Sequence, residues 1–184
     1  VTRCLLVIFL LALPVVSKAA ETVDPHNLEE QLREHAPECG RFAQHRWMAD
    51  MELGLDSEGH FQRQGDALVW STLSPVADRL HLSLDNPDLP VGLKAMLPIL
   101  TGLLEGDWAS LGTLFRVQLK GELSAWQAQL TPTDVNVAER IEEASASGGD
   151  LVEHLALDFT NGDRLTLTLM PTDCQVLDAE ESGV

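Results

Sequence analysis

Between residues 79 and 170 the chain repeatedly alternates apolar and polar residues with a period of two, and this pattern restricts the fold more than any other feature. In residues 79–85 (RLHLSLD), Leu80, Leu82 and Leu84 fall on one side and His81 and Ser83 on the other. Residues 115–123 (FRVQLKGEL) set Val117 and Leu119 against Arg116, Gln118 and Lys120, and residues 126–130, 154–159 and 164–170 repeat the arrangement. Successive strand side chains point to opposite faces, so these runs read as strands with one dry and one wet face. Turn chemistry separates them, at 56–60 (DSEGH), 63–67 (RQGDA) and 161–163 (NGD). Asn161-Gly162 between two alternating runs predicts a tight hairpin, because both residues tolerate left-handed backbone. One-sided strands joined by tight turns predict an antiparallel sheet with one solvated face. Two short helices are predicted beside it. One spans 27–37, capped by Asn27 and stopped by Pro37. The other lies around 137–144, with Glu142 and Glu143 on its wet side.

Residues 89–108 (LPVGLKAMLPILTGLLEGDW) break the alternation. Their length and period are helical, but Val91, Leu93, Met96, Leu97, Ile99, Leu100, Leu103 and Leu104 cover most of the circumference. A helix that is apolar nearly all round must be buried or must cover something apolar. Pro98 is expected to kink or split it, and Gly92 and Gly102 to loosen both halves. Two readings follow: an ordinary core helix, or a mobile lid over an apolar concavity of the sheet.

The N-terminus carries Arg3, the apolar run 4–16 and the small residues Ser17 and Ala19 of SKA, which together predict a cleaved secretory signal over residues 1–19. The run is shorter than the roughly 20 residues of a comfortable transmembrane helix. Residues 20–177 are then a single domain, followed by an acidic disordered tail at 178–184. A Gram-negative periplasm is the expected compartment. Cleavage would remove Cys4 and leave Cys39 and Cys174, which an oxidising compartment would pair as a disulfide. The formal net charge is −17. That argues against a nucleic-acid partner and against adhesion to an anionic membrane, leaving only transient membrane contact.

Residues 37–51 (PECGRFAQHRWMADM) gather the side chains that most resemble a site. Their histidine and arginines nevertheless lack a ligand or base partner at a useful spacing. The stretch reads as an opening strand, with Phe42, Gln44, Arg46 and Met48 on one face and Ala43, His45 and Trp47 on the other. The histidines at 26, 35, 45, 60, 81 and 154 form no ligand pair on one helix face, so no metal and no cofactor is expected. No Gly-x-Ser-x-Gly occurs, and residues 145–150 (SASGGD) read as a loop into a strand. The tryptophans at 47, 70, 108 and 126 fill a core or line a cavity. No catalytic residue is expected, and a non-enzyme is predicted.

Several stretches, in order, resemble the outer-membrane lipoprotein carrier proteins (LolA-like), in a divergent branch. They are FAQHR at 42–46, SEGHF at 57–61 with LVWSTLSP at 68–75, LLEGDWASLGTLF at 103–115, and WQAQLTP at 126–132. The resemblance spans roughly residues 25–175. It implies an α+β fold: a strongly curved antiparallel sheet forming an unclosed half-barrel, with helices lidding its concave face. It further implies a monomeric carrier of lipoprotein acyl chains, or of other lipid or polyene cargo. Such a carrier is loaded by an inner-membrane exporter and relieved by an outer-membrane acceptor protein. The lipid-binding cavity and lid are then expected at Phe61, Trp70, Leu93, Met96, Leu97, Leu100, Leu104 and Phe115. Arg63 stands near the arginine that latches the lid in better-known members, with Gln64 where they carry proline. A structural envelope module of the same fold, holding only its own lid, is the alternative.

Overall fold

The computed structural model describes residues 23–65, 67–83, 85–87, 89 and 91–177, and only the backbone of 91–96. The expected signal and tail therefore lie outside the described residues. Helix α1 (Pro25–Glu34) leads into β1 (Cys39–Met48), β2 (Leu53–Gln64), β3 (Ala67–Ser74) and β4 (Asp78–Leu82). Helices α2 (Val91–Leu104) and α3 (Trp108–Leu114) follow. The chain then returns as β5 (Phe115–Glu122), β6 (Ala125–Pro132), the short helix α4 (Val135–Ala138), β7 (Ile141–Gly148), β8 (Val152–Phe159) and β9 (Arg164–Pro171). All strands pair antiparallel in one nine-stranded sheet, ordered β4-β3-β2-β1-β9-β8-β7-β6-β5. The fold is α+β, and the sheet is unclosed: β4 and β5 are its two edges. The chain leaves one edge, passes through α2 and α3, and re-enters at the other.

Register places the alternating residues as their period demands. Leu165, Leu167 and Leu169 of β9 oppose Arg46, Gln44 and Phe42 of β1 on one side, and Leu157 and Leu155 of β8 oppose Leu165 and Leu167 on the other. This inner face carries the core, where Phe42, Phe61, Phe115, Trp126 and Leu130 are essentially inaccessible to solvent.

Three sequence expectations shift by a definable cause. Residues 56–60 are not a turn but the middle of β2, and the turn lies at Ala49–Met51, where Glu52 takes left-handed backbone (φ 48°). Gly59 serves packing: a Cβ there would meet the Ser71 carbonyl oxygen at 2.0 Å and the Phe42 ring at 2.8 Å. The β2–β3 register shifts at Glu58/Gly59, so the glycine marks a bulge rather than a reversal. Helix α1 is capped by Asp24, whose carboxylate accepts from the His26 amide at 2.8 Å, not by Asn27. Proline at the first helical position needs no donor, so the helix starts earlier than the Asn27 cap suggested. The helix expected around 137–144 ends at Ala138, and Ile141–Gly148 is strand β7. Ile141 and Ala144 are both buried with a helix-like separation because the β7–β8 register slips between Ile141 and Glu143. The loop expected at 145–150 is likewise strand as far as Gly148.

Cys39 and Cys174 are joined by a disulfide, tying the start of β1 to the segment after β9. At the opposite end of β1, Asp163 is buried beside the β8–β9 turn. Its carboxylate accepts the Ala49 amide at 2.9 Å and the Arg46 guanidinium at 3.2 Å. These donors, the Ala49 amide foremost, hold its carboxyl below the ordinary carboxylate range against the opposing effect of burial. A depressed folded-state value contributes stability above the unfolded carboxylate pKa of about 4, and that stability is lost as pH falls through the lower folded value. Asp163→Asn is therefore expected to reduce the urea midpoint at pH 7, with the gap to wild type closing at pH 3. An equal gap at both pH values would show that the charge is not what matters.

Candidate functional site

Helix α2 continues through Pro98 instead of splitting there. From 97 to 104 the helix is buried except for Pro98 and Thr101, which are half-buried on one outward stripe. Leu97, Ile99, Leu100, Leu103 and Leu104 all join the core, on both sides of the proline in sequence. Burial worth about 1.5–3 kcal/mol for each such side chain outweighs the roughly 3 kcal/mol that proline costs in a helix. Gly102 does not loosen the helix, because Leu111 of α3 sits where its Cβ would be, at 2.8 Å. The chain breaks instead at Gly106, which takes φ +66° and lies against the backbone of α1. Asp107 then caps α3 through the Ser110 amide at 3.1 Å, and its hydrogen bonds with Ser110 hold its carboxyl below the ordinary range. Helix α1 is clipped to two sheet turns by the Gln31 side-chain amide, which donates to the carbonyls of Leu123 (3.0 Å) and Gly149 (2.8 Å).

Between α2 and the inner face of the sheet lies an apolar hollow of about 170 Å³. Leu97 and Leu100 form its helical wall, and Trp70, Leu80 and Leu82 one strand wall. The other wall comes from Leu155, Leu157, Leu165 and Leu167, and Gln44 and Thr72 are the only polar residues of the lining. At its side the Trp70 ring stacks on Phe42 (centroids 3.9 Å apart) and on Phe61 (6.0 Å). Two larger hollows, about 540 and 510 Å³, lie open on the sheet among glutamine, serine, threonine, histidine and acidic side chains. The first also touches Leu155, Leu167 and three alanines, but polar side chains make up most of both linings. Of these three hollows, the one beneath α2 has the lining that a hydrocarbon requires.

Just after α2, the Glu105 carboxylate meets the Arg63 guanidinium of β2 at 2.6 Å, the one ion pair described between this segment and the sheet. Glu105 is nearly half exposed, and such pairs contribute about 0–1 kcal/mol. The Nε of Arg63 is buried with no hydrogen-bond partner. The polar contact is thus weak, and the buried leucines of α2 carry most of its packing.

Of the residues expected at this site, Trp70, Leu97 and Leu100 line the hollow. Phe61, Leu104 and Phe115 are buried in the core around it. The side chains of Leu93 and Met96 lie outside the described residues. Sequence reasoning passed over Gln44, Thr72 and the leucines of β4, β8 and β9 as site residues, although their period-two spacing placed them on one face. Trp126 and Trp108 pack edge to face at 6.2 Å, away from the hollow's lining, while Trp47 stays partly exposed. Glu142 and Glu143 lie on β7, where Glu143 accepts from Gln129 of β6. His45 pairs with Asp56 across β1 and β2 at 2.6 Å on the exposed outer face. Among the described residues no group of three or more His, Cys, Asp or Glu converges as metal ligands would.

The described residues thus form an open antiparallel sheet with α2 packed over an apolar hollow on its inner face. The family model described as outer membrane lipoprotein carrier protein LolA-like matches residues 83–156. That segment holds α2, α3 and β5 to β7. Among solved structures it is similar to a LolA superfamily protein from Nitrosomonas europaea, with 10% identity over 84% of this chain and 95% of that one and a TM-score of 0.33. No curated protein matches the sequence.

Proposed function

We propose that the protein is a periplasmic carrier that shields acyl chains of a lipoprotein, or of other lipid or polyene cargo, and delivers them toward the outer membrane. The observation that carries this reading is the enclosed, leucine-lined hollow beneath a helix held mainly by apolar burial. At about 170 Å³ it is smaller than the roughly 300–1,000 Å³ of pockets that hold drug-sized ligands, so loading requires α2 to move outward. That fits the energetics of release. Burying a chain of about 16 methylenes at about 0.8 kcal/mol each gains over 10 kcal/mol, too much for ready unloading. A lid that recovers the burial of Leu97, Leu100 and their neighbours when the cavity empties offsets part of this gain. The Cys39–Cys174 disulfide suits the oxidising compartment that such a role requires.

The small volume equally favours one rival, a structural module whose concavity holds only its own lid. Titration of detergent-free protein with a fluorescent fatty acid separates the two. Saturable binding is expected, weakened about tenfold or more by Leu97→Glu, which puts a charge into the hollow's wall. Absence of binding by wild type, together with no lipid in native mass spectra of the purified protein, would leave the structural module as the better account.

A further inference from the structure

The hollow has a direction. Its lid end is marked by Phe42 and Trp70, whose rings stack at 3.9 Å. Two residues further along β1 and β3, on the same face, come Gln44 and Thr72, the only polar residues in the lining. Nothing separates this polar step from the aromatic stack across β2, because the residue paired with both Phe42 and Thr72 is Gly59. Neither side chain has a hydrogen-bond partner among the described residues, so both donors and acceptors are free for a ligand.

Beyond this step the inner face continues onto a projecting hairpin. Strand β3 pairs with β2 no further than Glu58, whereas β1 accompanies β2 to Leu53. Leu55 opposite Arg46 and Leu53 opposite Met48 extend the inner face past the end of β3, and both are exposed, at 41% and 52%. Met51 at the turn, and Leu73 and Val76 near the β3–β4 turn, are exposed at the same end. An apolar fringe of this kind on a strongly acidic chain marks a surface meant to meet something apolar. Its continuity with the hollow identifies that partner as the rest of the same ligand.

We propose that the cargo is an amphiphile held in one orientation. Its hydrocarbon tail lies under α2, its carbonyl linkage is hydrogen-bonded at Gln44 and Thr72, and the remainder of the molecule leaves along the β1–β2 hairpin with an apolar side against Leu55 and Leu53. The linkage is a neutral ester or amide, not a free carboxylate. Arg46, the cation on that face, is engaged by Asp163, and Asp50, Glu52, Asp56 and Glu58 crowd the hairpin with negative charge. This inference rests on the carrier reading and specifies its geometry.

Two photoreactive N-palmitoyl glycinamide probes test it, one with a diazirine beside the carbonyl and one with it at the chain terminus. The first is expected to label peptides from residues 44–57 or 70–76, and the second peptides containing Leu97 and Leu100. The reversed pattern, or identical labelling by both probes, would overturn the orientation while leaving carriage intact. No labelling by either would instead overturn the carrier reading. Unlabelled N-palmitoyl glycinamide is expected to displace the probes at lower concentration than palmitate, and equal or better competition by palmitate would refute the neutral linkage. Gln44→Leu combined with Thr72→Val should weaken binding of the amide probe about tenfold, the loss of one or two hydrogen bonds. Unchanged affinity would remove Gln44 and Thr72 from the site.

Discussion

Replacing Cys39 and Cys174 with serine is expected to lower the stability of the protein by about 5 kcal/mol, the chain-entropy value for a cross-link spanning 135 residues. The bond closes a loop holding every strand of the sheet. Its loss frees the unfolded chain far more than it alters the folded one. In a domain of this size the melting temperature should fall by roughly 10–20 °C. The measurement is a thermal melt of the double-serine protein beside wild type with and without reductant. Reduced wild type and the variant should melt together, well below the oxidised protein. Coincident melts in all three would show that the sheet's hydrogen bonds and core confine the chain ends unaided. The bond also bears on the carrier reading. In that reading, it keeps the Cys39 end of β1 fixed while α2 moves.

Phe42→Ala should cost about 3–5 kcal/mol, the range for emptying a buried aromatic site. Phe42 is 1% exposed, stacks on Trp70 and occupies the space left by Gly59, so no neighbour is free to collapse into the vacancy. Denaturant unfolding followed by tryptophan fluorescence reads the loss, and Phe42→Leu should recover more than half of it. The vacancy adjoins the hollow beneath α2. The carrier reading therefore expects the destabilised protein still to bind the fluorescent fatty acid. A variant that loses less than about 1 kcal/mol would mean that the aromatic stack is not a fixed part of the core.

The sheet was legible because its cause is local. Val117 and Leu119, or Leu165, Leu167 and Leu169, carry the period of two directly, and Asn161-Gly162 turns the chain as its backbone preferences require. Where local pattern and global packing diverged, packing prevailed. DSEGH has a turn's composition, yet its glycine gives room to Phe42 from a strand away. Glu142 and Glu143 sit where a register slip imitates helical spacing. Pro98 breaks helices in isolation, but α2 continues through it, with Leu97 on one side and Ile99 and Leu100 on the other buried in the core.

The two cysteines, the one-faced strands and the wholly apolar segment 89–104 were properties of the sequence by itself. Period, charge and residue type are written into consecutive positions, and they determined an antiparallel sheet with an apolar helix beside it. Only the tertiary structure decided that α2 bridges the two open edges, that Arg63 meets Glu105, and that Gln44 and Thr72 face one hollow across a glycine. Arg63 and Glu105 lie 42 positions apart in the sequence. Their meeting depends on the curl of the sheet and the register of several strands at once, which no local pattern encodes.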